Sequence, residues 1–384
     1  MTDIVVIGAG AVGLPSAYFL AQEGMQVTVV DMEPAPAQGS FKAAIGGIRA
    51  THSEPAKIAL CKDSLKIFST WKEKTGTEIG WKMGGYCFPV YREQDEKLLK
   101  GMFPIQHKYG LNIDWLDADG IKKVIPGING VGLRGGTLSI EDGQASPLLF
   151  ASSLTEECKK LGVEFRLGES VEQVLVKSDR VVGVKTDKRI ISADYVLNAA
   201  GSRASQIAAT VNVPVPVSPD SHEAGISMPV SQFLDPLVVD IRPGPEGKTA
   251  NFYFGQTHDG SVIFCYTPSP IIPGEDRRGT SQFLPIIAKR LLDLIPRFKH
   301  LVIRRLWRGL YHMTPDGLPI IGEAPNVSGF YIAAGLCGQG FMMGPGIARN
   351  MAHHIARGTP HLETYLFDAL SPQRDFYAKK EALE

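Results

Sequence analysis

Two glycine-rich stretches carry most of the recognisable chemistry in this chain. The first is a G-x-G-x-x-G run at Gly8, Gly10 and Gly13, with a carboxylate, Asp31, 18 residues after the last glycine. At that spacing each residue type has a task. Gly8 permits a tight turn, Gly10 and the adjoining Ala11 let backbone approach a pyrophosphate, and Gly13 lets a helix lie close on a strand. Asp31 is placed to bind a ribose hydroxyl. This is the chemistry of a bound dinucleotide, and the motif does not choose between NAD and FAD. The second stretch, GLCGQGFMMGPG at residues 335–346, has five glycines in twelve residues. It lies between a strand-like run, GFYIAA, and a helix-like run, IARNMAHHIARG, which is the layout of a phosphate cradle. A chain with one good cradle at residue 8 has no evident need of another.

Positioning the first motif takes a strand, a helix and a second strand, and all three are legible. IVVI at residues 4–7 suits a parallel strand buried on both faces. The next run carries apolar Val12, Tyr18, Phe19 and Leu20, and Gly24 fits its helical stop. QVTVVD, ending in Asp31, is the second strand. Regular alternation then breaks: residues 32–56 form a long loop rich in Gly, Ala and Pro, and such loops in compact domains are usually functional or disordered. Residues 57–72 read as one helix with Leu60, Leu65, Phe68 and Trp71 near one face. Residues 162–201 read as short strands ending in ADYVLNAAG, and residues 215–275 as antiparallel sheet. The expected fold class is α/β (α+β): a Rossmann-like cofactor domain interleaved with an antiparallel-sheet substrate domain. The boundaries expected are 1–83, 146–214 and 312–384 for the first, and 84–145 with 215–311 for the second.

Composition narrows the class. Lys+Arg and Asp+Glu both count 40, so no basic surplus points to nucleic acid. No apolar run reaches the roughly 18–20 residues of a membrane helix. The chain goes straight from MTDIVVIGAG into its first turn, which makes a cytoplasmic location the expectation. The five Cys are widely spaced with no C-x-x-C, which favours buried thiols over disulfides or a zinc site. Adjacent His353 and His354 form no H-E-x-x-H pattern, and no metal site is expected.

GAGAVG, GSFKAAIGGIR, NAAG, TPDGLPIIG and GLCGQGF together resemble the D-amino-acid-oxidase-like family of FAD-dependent oxidoreductases over nearly the whole chain. GGYCFPVY and GLYHMTPDGLPIIG are most similar to its branch of L-proline dehydrogenase β subunits, sarcosine oxidase β subunits and dimethylglycine dehydrogenase. The resemblance implies that Gly8, Gly10, Gly13 and Asp31 hold the ADP half of FAD. Ser40 would reach the pyrophosphate, and Val171 would meet the adenine through its backbone. Ala200 and Gly201 would line the dinucleotide. Gly338, Gln339, Gly340, Phe341 and Met342 would lie against the flavin ring. The second glycine stretch then becomes the other half of a single FAD site, with a helix from about Pro345 aiming its positive end at the ring.

The resemblance also implies substrate roles. Arg49, nine residues after Ser40, would clamp a carboxylate, for which a guanidinium fork is suited. Tyr311 and Tyr253 would enclose the amine. Departures from relatives carry information as well. Gly309 stands where some attach FAD through cysteine, so non-covalent FAD is expected. Met342 replaces a carboxylate-binding lysine, and SVIFCY has no oxygen-activating lysine, which favours a dehydrogenase over a fast oxidase. RGGTLSIEDGQASP has no histidine for covalent FMN. The expected reaction is oxidation of a secondary amine or imino acid, such as L-proline or sarcosine, by hydride transfer to flavin N5. A small amino-acid-like substrate is implied, with partner subunits or a separate electron acceptor. Glycine or D-amino-acid oxidation, a flavin-holding electron-relay subunit and an NAD(P)-dependent dehydrogenase are the alternatives. No acid–base residue is named from the sequence, although His52 and His312 lie in the relevant segments.

Overall fold

A computed structural model describes residues 2–378 and 380–383. Its first sheet grows outward from the strand Thr2–Ile7. That strand pairs in parallel with Val27–Asp31 on one side and Ile190–Asn198 on the other. Ile4, Val5 and Val6 are wholly buried, as a strand covered on both faces requires. Glu164–Leu167 extends the sheet past Val27–Asp31, and Phe330–Ala334 extends it past Ile190–Asn198. The helix Gly13–Gln22 connects the first two strands. A Cβ at Gly13 would sit 1.8 Å from the Gly8 carbonyl oxygen, so the helix reaches its position only without a side chain there.

The second sheet has eight strands, in the order Ile303–Met313, Ser218–Pro229, Ser261–Pro268, Thr249–Gln256, Leu237–Asp240, Tyr86–Val90, Gly135–Ser139 and Ile113–Asp117. It is not purely antiparallel, as the sequence had suggested. Leu237–Asp240 runs parallel to Tyr86–Val90. That pair joins pieces of chain separated by a long excursion through the first sheet, so no hairpin dictates their direction. Strand alternation assigns the two faces. Phe252, Phe254 and Phe264 face a core shared with Phe283 and Ile287 of the helix Phe283–Leu294. The intervening residues face the other way, toward the first sheet's loops.

Two helix boundaries differ from the sequence pattern. The expected helix at 57–72 is split into Pro55–Ser69 and Trp71–Thr75. The last long helix begins at Gly340, five residues before Pro345. Proline favours the first helical turn because its missing N–H is spare there. Here burial of Phe341, Met343 and Ile347 in the main core outweighs that preference. All five cysteines are buried. Among the described residues no helix is long and apolar enough to cross a membrane.

Candidate active site

Both glycine stretches line one cavity. Gly8, Gly10, Ala11 and Asp31 come to it from the first sheet, Ser40 from the long loop, and Ala200 and Gly201 from the end of Ile190–Asn198. Gly338, Gln339, Gly340, Phe341 and Met342 join them from the start of the last long helix. Gly13 and Val171 do not line it. Gly13 lies under the turn, and Val171 is buried at the head of its strand with Val5 and Val30 in its core cluster.

The lining fits a dinucleotide. A Cβ on Gly10 would meet nothing within 4 Å, which leaves room for a pyrophosphate against the backbone. The Asp31 carboxylate is fixed by the Ala9 N–H at 2.6 Å and the Glu33 N–H at 2.8 Å. Burial nevertheless raises its pKa above the ordinary value. The Gln339 Oε1 is buried with no protein partner, an acceptor awaiting a donor. Ser40 Oγ lies 3.3 Å from His312 Nε2, and burial lowers His312 to about 4, so that ring is neutral.

The cavity's other wall is one face of the second sheet. In an antiparallel ladder, residues directly opposite share a face. Val239 pairs with Tyr253, and Tyr253 with Cys265. Ala224 pairs with Cys265, and Asp220 with Tyr311. The alternation that buries the phenylalanines therefore delivers Tyr253, Tyr311, Cys265 and His222 to the cavity together. The two tyrosine hydroxyls are hydrogen-bonded to each other. Burial raises both their pKa values well above the ordinary range, so both remain neutral. Burial pushes the Cys265 thiol to about 12. Gly338 is explained here as well. With φ at +75° it carries no Cβ, and one would lie 2.0 Å from the Tyr311 ring. This glycine makes room for a tyrosine, in addition to lining the cavity.

His222 was not evident from the sequence. Its ring stacks on Tyr311 with centroids 3.6 Å apart. Its Nε2 lies 3.0 Å from Asp220 Oδ2, while Nδ1 is buried with no partner. An ionised Asp220 accepts the Nε2 proton, which leaves the lone pair on Nδ1. Burial lowers the His222 pKa despite Asp220. The alternation of Asp220, His222 and Ala224 was the available signal. It identifies a face only once the strand Ser218–Pro229 is known.

Arg49 lies at the border between the two walls and is 7 % exposed. Its Nη1 bonds the Thr51 carbonyl and lies 3.2 Å from His52 Nδ1. Its Nη2 donates to the Leu383 carbonyl at 2.8 Å. A guanidinium has five N–H donors. These three contacts leave the Nε–H and one Nη2–H, the number a bidentate carboxylate takes. Asp142, also missed in the sequence, holds this loop: it accepts from Ala50 N and Thr51 Oγ1, both at 2.9 Å. Burial holds His52 well below its ordinary pKa, with Arg49 and Lys57 adding to the effect. It supports Arg49 and does not line the cavity. Away from the cavity lining, ligand atoms of Glu23, His353 and His361 come within 4.8 Å of one another, with Glu23 already paired to Arg357 at 2.9 Å.

Comparison with known proteins agrees with this geometry. The family model described as DAO, FAD dependent oxidoreductase, matches residues 3–354. The chain is 29 % identical over 356 residues to the bifunctional protein ThiO/ThiG of Nostoc sp. (strain PCC 7120 / SAG 25.82 / UTEX 2576), covering 89 % of this chain and 51 % of that protein. It is 26 % identical over 371 residues to 4-methylaminobutanoate oxidase (formaldehyde-forming) of Paenarthrobacter nicotinovorans, covering 95 % and 45 %. The chain thus spans about half the length of these curated relatives. In structure it is similar to L-proline dehydrogenase from P. horikoshii, with a TM-score of 0.91 at 29 % identity over 99 % of both chains.

Proposed function

The chain belongs to the DAO family of FAD-dependent oxidoreductases, and on that premise we propose that it oxidises a secondary amine or imino acid that carries a carboxylate, such as L-proline or sarcosine. The observation that carries this reading is Arg49: a buried guanidinium at the cavity with two N–H groups unspent, beside a tyrosine pair and an Asp–His pair. The proline and N-methyl amino acid substrates in the relatives' names support the same class.

The chain's own residues divide the work. Arg49 binds the substrate carboxylate through two parallel hydrogen bonds. The paired hydroxyls of Tyr253 and Tyr311 enclose the amine and stay neutral. His222 accepts the ammonium proton at Nδ1, which yields the neutral amine, and the Asp220 carboxylate beside Nε2 offsets the charge of the imidazolium. The sheet face and the glycine loop together exclude water and hold the Cα–H toward the loop, so orientation supplies much of the rate. The backbone of Gly8 to Gly10, Asp31, Ser40 and residues 338–342 would hold FAD without a covalent bond, since Gly309 occupies the position of the linking cysteine. Bound there, FAD supplies the hydride acceptor. The strand Ser261–Pro268, where relatives carry an oxygen-activating lysine, has none, which supports a dehydrogenase with a separate electron acceptor over a fast oxidase. Anaerobic addition of L-proline, hydroxyproline, sarcosine, dimethylglycine, glycine and D-amino acids to the yellow holoenzyme tests the class. Bleaching by a secondary amino acid supports it. Bleaching by D-amino acids or glycine alone assigns that substrate class instead.

A further inference from the structure

Residues Glu381–Leu383 enter the substrate side of the cavity through a buried anchor. Glu381 pairs with Lys57 at 3.6 Å, and both side chains are fully buried. The Glu381 carboxylate also accepts from Ser53 N at 2.9 Å and Ser53 Oγ at 2.6 Å. Its own N–H donates to the Asp316 carbonyl at 3.0 Å. Burial alone would raise the Glu381 pKa, but the Lys57 charge and the Ser53 hydrogen bonds hold it at about 2. The Glu381 carboxylate is therefore ionised where it meets Lys57 and Ser53. A buried ion pair this well satisfied is weak evidence for stability, yet it fixes register. What it registers is Leu383.

The Leu383 carbonyl takes one Arg49 Nη2 proton at 2.8 Å and meets Gln339 Nε2 at 3.5 Å. Its side chain is 5 % exposed, clusters with Tyr86 and Phe88, and lines the cavity. One residue thus touches the guanidinium, the glycine loop and the apolar wall. We propose that Leu383 is a specificity-determining residue: its carbonyl orients Arg49, and its side chain limits the size of the substrate group beside the carboxylate. The Lys57–Glu381 pair is the positioning element that holds it there. This rests on Arg49 being the carboxylate clamp.

The test uses holoenzyme and two ratios of kcat/KM. The first compares a bulky N-methyl amino acid, N-methylleucine, with sarcosine. Leu383→Ala raises it by about tenfold or more, because the lost side chain opens an apolar pocket. Leu383→Met, which conserves volume, stays near the wild-type ratio. Leu383→Val reads the same change, at smaller amplitude, if the alanine variant does not hold flavin. Glu381→Gln raises KM for sarcosine more than it lowers kcat, since the clamp loosens while the chemistry remains. The second ratio compares sarcosine with dimethylamine in Arg49→Lys. If that variant loses its preference for the carboxylate but Leu383→Ala and Leu383→Val leave the first ratio unchanged, the assignment of Leu383 is wrong. If Arg49→Lys keeps full preference for the carboxylate, the clamp reading falls and the proposal with it.

Discussion

The two walls of this cavity, which we propose take the nucleotide and the substrate, are built in opposite ways. The nucleotide side is backbone: turns at Gly8 to Gly10, a helix start at Gly340 and one carboxylate held by two N–H groups. The substrate side is side chain: Arg49, His222, Tyr253 and Tyr311, brought together by sheet register and a long loop. A backbone site is intolerant of added atoms and indifferent to most charges. A side-chain site tolerates shape changes and is sensitive to each lost donor. Substitutions on the two sides therefore break different measurements.

The largest effect is expected from Gly13→Val. The added Cβ alone lands 1.8 Å from the Gly8 carbonyl oxygen, overpacking of about 3 kcal/mol or more. The purified protein should lose its flavin, read as the ratio of flavin to protein absorbance. Arg49→Ala should keep its flavin and lose about 2–4 kcal/mol in kcat/KM, as for a buried charge left without its partner. A variant that also loses flavin would blur the division between the two sides. His222→Asn should lower kcat/KM by about 100-fold, the scale of one general base. The pH profile sharpens that case. His222 has a pKa below the ordinary 6.5, so its base form persists as pH falls through 6.5. In the wild type the acid limb of kcat/KM should lie below that pH, and the variant should lack it. The smallest effect is expected from Tyr253→Phe, which removes one hydroxyl of the tyrosine pair, about 0.5–1.5 kcal/mol. Steady-state kinetics at saturating acceptor would read it.

The contrast also explains what could be read from the chain before folding. Gly8, Gly10, Gly13 and Asp31 form a site within one strand–helix–strand unit, so local spacing reveals it. That the second glycine stretch faces the same site as the first was legible too, and the structure has both lining one cavity. The reason for Gly338 was not legible, because Tyr311 reaches it from the other sheet. His222 went unnoticed for the same reason. One histidine on a strand has no local signature, and only register with Ile303–Met313 places it on Tyr311. Asp142 reaches Ala50 and Thr51, and Leu383 reaches Arg49, from positions far along the chain. The helix start at Gly340 was misjudged because core burial outweighed the local preference of Pro345. Val171 sits in the expected strand but off the cavity lining.

The central claim is that Arg49 selects a carboxylate-bearing amine for oxidation in this cavity. The most direct measurement is anaerobic bleaching of the holoenzyme's flavin by L-proline against pyrrolidine, and by sarcosine against dimethylamine, in wild type and Arg49→Ala. At least one amino acid should bleach the wild-type flavin, its decarboxylated counterpart should do so far more slowly, and Arg49→Ala should abolish the difference. Equal bleaching by both members of each pair in the wild type would contradict the claim, as would a flavin that dithionite reduces and none of these amines does.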